Sequence, residues 1–347
     1  MNRKKLLIIG AGVRVSETVL PAIEALEDRF TLTDIVTRSR KSVKSRKREY
    51  EANRLDSLEQ SSVTEADLVY MAVSKQAVPA VLKRLARFDL TGVDLLIETP
   101  VLLFKHFYFS RLLKKFRNVW AAEDSVQLPC FDLLRSAGSQ GYAGGWERVD
   151  FHHSAYKYHG LAMMKLLLGA ERIVSAQREG RNPQEICRHV HFPNGRYGRV
   201  QEPRDYSKGW FLLSGPGMKV TDRLQVNAGE QRLEPIFSKD LCRGFRIHDY
   251  ASYMEEEEAS LCGTRCASPT VTVTSLMEGM KRVGFYRMLK RIDDQGAGYP
   301  VENALDDMVV DYYLDKLGFF FNPFMGIRTF GGRFMLNAFS GLLNRFG

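Results

Sequence analysis

No uninterrupted apolar stretch in this 347-residue chain approaches the roughly 20 residues that a membrane-spanning helix needs, so a helical span is not expected. Cysteine is scarce: five, an odd number and scattered, which argues against a disulfide framework and for a reducing compartment. Cys262 and Cys266 lie four apart, but no second Cys/His pair with ligand spacing accompanies them. His152 and His153 are neighbours that a strand would send to opposite faces. His189 and His191 share a face but have no carboxylate or cysteine close in sequence. No metal is therefore expected. No internal repeat is visible. The basic start Met1 to Lys5 leads into an apolar run that stops at Gly10-Ala11-Gly12 without a cleavage pattern, so it does not read as a secretion signal, and a cytoplasmic location is expected.

What is present describes an ordinary globular protein of two domains, with 44% hydrophobic and 26% charged residues. The net charge of +9 is uneven: Arg38 to Arg48 holds seven Lys or Arg in eleven residues. A solvated face is the plain reading of that run. No aromatic residue interleaves it to stack on bases, so nucleic acid is not the expected partner.

The stretch Lys5 to Leu26 carries the strongest signal. Leu6-Leu7-Ile8-Ile9 reads as a buried parallel strand, Gly10-Ala11-Gly12 as a tight turn, and Val19, Leu20, Ile23 and Leu26 as one face of a helix. Gly10 permits the turn, Gly12 lets backbone approach a diphosphate, and the helix start offers N–H groups to that anion. Val15 stands where a third glycine usually allows close helix–strand packing. The next strand, Phe30 to Val36, ends at Thr37-Arg38-Ser39, with no acid to bind a ribose hydroxyl and with Arg38 suited to a 2′-phosphate. NADP is thus preferred over NAD.

Further strands are expected at Ala66–Val73, Leu95–Ile97 and Val119–Ala122, with helices at Ala77–Phe88 and Lys105–Phe116. The alternation predicts a Rossmann-type doubly wound parallel sheet over 1–125. Beyond it the βα rhythm is lost. Helices are predicted over Leu128–Ala137 and Gly160–Gly169, and strands over Glu147–Ala155, Trp210–Leu213, Met218–Val220 and Thr270–Val273. An α+β domain with a mostly antiparallel open sheet is expected over 126–347. Glu255 to Glu258 reads as a solvated acidic face. Phe334, Met335, Ala338, Phe339, Leu342 and Leu343 fall on one helical face, suited to core or subunit packing and, as a sharper alternative, to a membrane surface.

Several pieces, in order and spacing, resemble the glucose-fructose oxidoreductase/inositol dehydrogenase (Gfo/Idh/MocA) family. They are Gly10-Ala11-Gly12 with Leu20-Pro21-Ala22, Ala66 to Ala72, Glu98-Thr99-Pro100, and Tyr158-His159-Gly160 running into Leu166 to Gly169. The resemblance implies a nicotinamide cofactor held by Gly10, Gly12, Val13, Arg14, Thr37, Arg38, Ser39, Val73, Ser74, Glu98, Thr99 and Pro100. It also implies a small-molecule substrate and a homo-oligomer. The chain departs from the family where chemistry is done. Thr99 replaces a lysine, Ala155 an aspartate and Val78 a histidine; Thr99 cannot act as a base near neutral pH. His159 remains, with Tyr156 beside it, and Lys157 would point the same way if 155–159 were extended. Three function classes follow: an NAD(P)-dependent oxidoreductase acting on a carbonyl, imine or sugar-derived substrate with altered proton chemistry, an inactive nucleotide-binding partner or sensor, and a peripheral membrane or polyanion binder.

Overall fold

A computed structural model describes residues 3–140, 145–180, 182, 185–263 and 270–322. The chain forms two compact units. One holds the residues up to 123 together with 285–308, and the other the described residues of 124–284 and 309–325. The C-terminal aromatic stretch that the sequence offers for packing or a membrane surface lies outside the described residues, as does Cys266.

The first unit is built on β1 (Lys4–Ile9), β2 (Phe30–Thr37), β3 (Lys41–Lys44), β4 (Glu49–Arg54), β5 (Leu68–Met71), β6 (Asp94–Glu98) and β7 (Val119–Ala122). Their order across the sheet is β7-β6-β5-β1-β2-β4-β3, and the short strand Tyr299–Pro300 adds antiparallel to β7. From β1 to β7 every pairing but β3–β4 is parallel. Leu6 to Ile9 are wholly buried, which is why that strand reads as one continuous apolar run. The chain winds outward from β1 in both directions, so the strand order reverses between β1 and β5. Ligands of open α/β sheets sit beyond the carboxyl ends of the strands at such a reversal. The basic run is a hairpin: β3 and β4 pair antiparallel, and β4 then joins β2.

In the second unit a ten-stranded sheet includes β8 (Arg148–His152), β9 (Ser175–Glu179), β10 (Cys187–His191), β11 (Tyr197–Gln201), β12 (Trp210–Gly215), β13 (Met218–Thr221), β14 (Glu230–Ser238), β15 (Leu241–Ile247) and β16 (Tyr250–Tyr253). Their order is β16-β15-β14-β13-β12-β8-β11-β10-β9, closed at the β9 edge by Phe319–Phe321. Most pairings are antiparallel; β8–β11 and β13–β14 are parallel. Val149, Phe151 and Val200 face the helix Lys157–Leu168, while Arg148, His152 and Arg199 alternate to the other side.

Two expectations differ from the fold. Thr270–Val273 is not a strand. It leads into the turn Thr274–Leu276 and the helix Met277–Gln295, and Thr272 and Ser275 exchange side-chain-to-backbone hydrogen bonds of 3.1 Å in the manner of a helix start. The acidic run is not all solvated: Glu255 caps the helix Glu256–Cys262, and Glu258, which completes the capping box, is buried.

Candidate functional site

The residues singled out in the sequence fall into two groups, one in each unit. The first surrounds the strand-order reversal. Gly10 follows β1 with φ +120°, and a Cβ there would lie 2.1 Å from the Ala72 carbonyl oxygen, so only glycine fits. Its N–H donates to the Val36 carbonyl at 2.7 Å, closing the turn. Gly12 is different: a Cβ on it would meet nothing within 4 Å, so its bare face opens on unfilled space. Val13, the residue after it, is 68% exposed. Val15 is fully buried, and the helix carries it in a wide π turn over Val15–Val19 before the regular helix Leu20–Ala25. The Lys41 ammonium donates to the Ala11 carbonyl, bringing one cation of the basic hairpin to the glycine turn. Open backbone at the head of a helix, with cations beside it, fits the diphosphate of a dinucleotide.

At the tip of β2, Thr37 is half-buried and Arg38 and Ser39 are exposed. None of the three side chains has a hydrogen-bond or ion-pair partner among the described residues. They form a loose set of donors and one guanidinium.

The ends of β5 and β6 carry a tight polar cluster. The Glu98 carboxylate accepts from Arg14 Nε at 3.0 Å and from the Tyr70 hydroxyl at 2.5 Å. The Arg14 guanidinium lies over the Phe285 ring, 5.4 Å from its centroid. Burial, with the Glu98 charge, pushes the Tyr70 phenol well above its ordinary value. Thr99 is buried beside this cluster, and Val73 and Ser74 follow β5. Sequence reasoning missed Lys75. Its Nζ donates to the Glu98 carbonyl at 2.9 Å, its one hydrogen bond among the described residues. Burial is the main reason its pKa falls from 10.5 to about 8; Arg14 lowers it further and Glu98 partly opposes. A lysine next to Ser74, just past a buried strand, was the only signal available.

The second group centres on the helix Lys157–Leu168. Gly160 lets this helix lie close against β11, since a Cβ there would sit 2.8 Å from Val200 Cγ2. Gly198 does the same under Met164. The helix thereby presents His159 to a small cavity of about 10 Å³, lined also by Tyr156, Arg204, Tyr206 and Lys281. Ala155, at the position of the family aspartate, lines it too.

Lys157 does not stand in for the missing charge as an extended 155–159 would have allowed. The helix begins at Lys157, whose φ is +46°, and its Nζ pairs with Asp315 at 2.7 Å. That pair belongs to a buried network in which Arg188 binds Glu202 and Asp311, each at 3.0 Å, and Asp315. Burial lowers the Lys157 pKa, but Asp315 and Asp311 outweigh it and the net shift is upward. Burial lifts Asp311 to about 6 despite Arg188.

The histidine pairs have protein partners: His152 Nδ1 contacts Gln201 at 2.9 Å and its ring stacks on Trp210, while His153 Nδ1 meets the Pro203 carbonyl at 2.6 Å. His189 meets Tyr197 and Glu179. Among the described residues no cluster of His, Cys, Asp or Glu could hold a metal ion, and no helix is long and apolar enough to cross a membrane.

No family model and no curated protein matches the chain. Solved structures do match it over nearly its whole length. An aldose-aldose oxidoreductase from Caulobacter crescentus is 12% identical with a TM-score of 0.61, covering 92% of this chain and 100% of its own. An oxidoreductase from Agrobacterium radiobacter, solved with NAD+, L-tartaric acid and magnesium, is 11% identical with a TM-score of 0.58, covering 90% and 95%. A super-repressor mutant of Gal80p from Saccharomyces cerevisiae is 11% identical with a TM-score of 0.59, covering 91% and 95%. At such identities the likeness establishes the fold, and that fold is the one shared by these oxidoreductases: a Rossmann sheet joined to a second, mostly antiparallel one.

Proposed function

We propose that the chain is a divergent oxidoreductase of the Gfo/Idh/MocA type that prefers NADP to NAD and acts on a carbonyl, imine or sugar-derived substrate. The observation that carries this reading is the glycine turn at the strand-order reversal, where Gly10 is sterically required and Gly12 leaves room for a ligand's diphosphate. Gly12, Val13 and Arg14 would hold the diphosphate, and Thr37, Arg38 and Ser39 the 2′-phosphate. Val73, Ser74, Glu98, Thr99 and Pro100 would line the nicotinamide side. Bound nicotinamide supplies or accepts the hydride. The chain's own task is then the proton. Thr99 cannot carry it, whereas Lys75, with a pKa of about 8, exists in both forms near neutral pH. His159 and Tyr156 offer a second donor set.

Thermal shift with NADP, NADPH, NAD and NADH tests the reading. The phosphorylated pair should give the larger shift; no shift with any of the four overturns it. A second reading, a nucleotide-binding partner or sensor without catalysis, is favoured by buried, uncharged Thr99 and by the turning of Lys157 to Asp315. The fold it shares with Gal80p fits that reading too. Tight nucleotide binding with no oxidation of NADPH by any carbonyl pool would select it. The proposal includes a homo-oligomer, with the Arg148, His152 and Arg199 side of the second sheet as its contact; light scattering of the purified chain checks it.

A further inference from the structure

Within the second unit, cations at two places are treated in opposite ways. At one place the cations meet carboxylates: Arg188 has Glu202, Asp311 and Asp315, and Lys157 has Asp315. Elsewhere in the unit Arg148 pairs with Asp150 and Arg223 with Glu230. The cavity at His159 breaks the pattern. Arg204 and Lys281 both line it, yet no Asp or Glu among the described residues does. Both cations rest on one ring, Tyr206, at 5.0 and 5.1 Å from its centroid, and Arg204 also lies 5.8 Å from that of Tyr156. Arg204 has no ion pair among the described residues. Lys281 has Glu278 at 3.6 Å, one turn away on the same helix, where the carboxylate is 67% exposed and water competes for it.

Two cations gathered on one aromatic ring place two positive charges beside a cavity whose lining holds no carboxylate among the described residues. We propose that this cluster is an anion site: Arg204 and Lys281 hold the carboxylate or phosphate of a small ligand beside His159. The substrate would then be an acidic carbonyl compound or sugar derivative rather than a neutral one. Calling the ligand a substrate rests on the oxidoreductase reading; the anion site does not.

The geometry suits the assignment. A guanidinium presents paired N–H donors that match two oxygens of a carboxylate or phosphate, and an ammonium adds a compact charge. Arg204 and Tyr156 are exposed and form the mouth, while the cavity itself, at about 10 Å³, has room for about one water. The anion would sit at the mouth, with the Tyr156 and Tyr206 hydroxyls as further donors and the His159 imidazole able to exchange a proton with the group it carries.

The test follows the His159 imidazole by NMR in the full-length chain, assigned by loss of its signal in His159→Gln, during titration with malonate and, separately, with inorganic phosphate. A saturable shift of the His159 resonances is expected. Arg204→Gln and Lys281→Met should each weaken binding by about tenfold or more, the value of a charge-assisted hydrogen bond. Malonate alone, or phosphate alone, identifies the group the site takes. The proposal is overturned if neither probe moves the resonance, or if both act equally on folded Arg204→Gln and Lys281→Met proteins. Dinucleotide binding is measured in parallel. An anion bound without any dinucleotide sinks the oxidoreductase reading and keeps the site; a dinucleotide bound without any anion does the reverse.

Discussion

Lys75 and Lys157 are both half-buried lysines at the end of a loop, and their surroundings push them in opposite directions. Lys157 meets Asp315 and is held charged; Lys75 meets a carbonyl oxygen and is pushed toward the neutral amine. The difference separates a lysine that fastens the fold from one suited to proton exchange. A buried ammonium with a carboxylate partner has little reason to titrate near neutrality, whereas one without such a partner costs stability and is retained where chemistry uses it.

The sharpest way to break this comparison is at the paired end. Arg188→Met removes the guanidinium from Glu202, Asp311 and Asp315, and the loss of stability should be large, about 3–5 kcal/mol by urea denaturation. A loss below about 1 kcal/mol would mean the network is no anchor.

At the unpaired end, the folded-state pKa of Lys75, about 8, lies below its ordinary 10.5. The unfolded chain therefore holds more protons between those values, and the cost is full below the lower one. Stability should rise from about pH 8 to about pH 10.5, by up to about 3 kcal/mol from this group. Lys75→Met should remove that part of the rise and be the more stable protein at neutral pH. Equal pH dependence in the two proteins would refute the assignment.

Lys157→Met should cost less, about 1–2 kcal/mol, since Asp315 keeps Arg188. It should leave nucleotide affinity and any turnover unchanged; lost turnover would return Lys157 to the site. The smallest effect is expected at the tip of β2. Arg38→Gln should weaken NADP binding about tenfold, one charge-assisted hydrogen bond, and leave NAD binding alone. Fluorescence titration with both reduced nucleotides reads the ratio directly.

Much of the first unit was legible in the sequence because parallel strands covered on both faces are unbroken apolar runs, as in Leu6 to Ile9 and Leu95 to Ile97. The glycine turn was legible for the same local reason. The hairpin of β3 and β4 was not: its residues are charged, and pairing with β2 rather than any apolar pattern makes it a sheet edge. Nor was the return of residues 285–308 to the first unit, where Gly298 packs against Trp120 and lets Tyr299–Pro300 pair with β7. Long-range pairing leaves no mark in a local window. Thr270–Val273 misled because β-branched residues read as strand, while the Thr272–Ser275 cap decides for helix. The site divided along the same line. Gly10, Gly12 and His159 announce themselves by motif, but Lys75, Arg204 and Lys281 take their meaning from neighbours distant in sequence.

The outer strand of the Rossmann sheet, β3, is four residues long, and Lys41 and Lys44 stand at its two ends. An unpaired strand margin is ordinarily a template on which another polypeptide can polymerise. Here a newcomer would have to align its backbone against a short, positively charged border. The doubly wound sheet is thus guarded at that rim against runaway β-stacking.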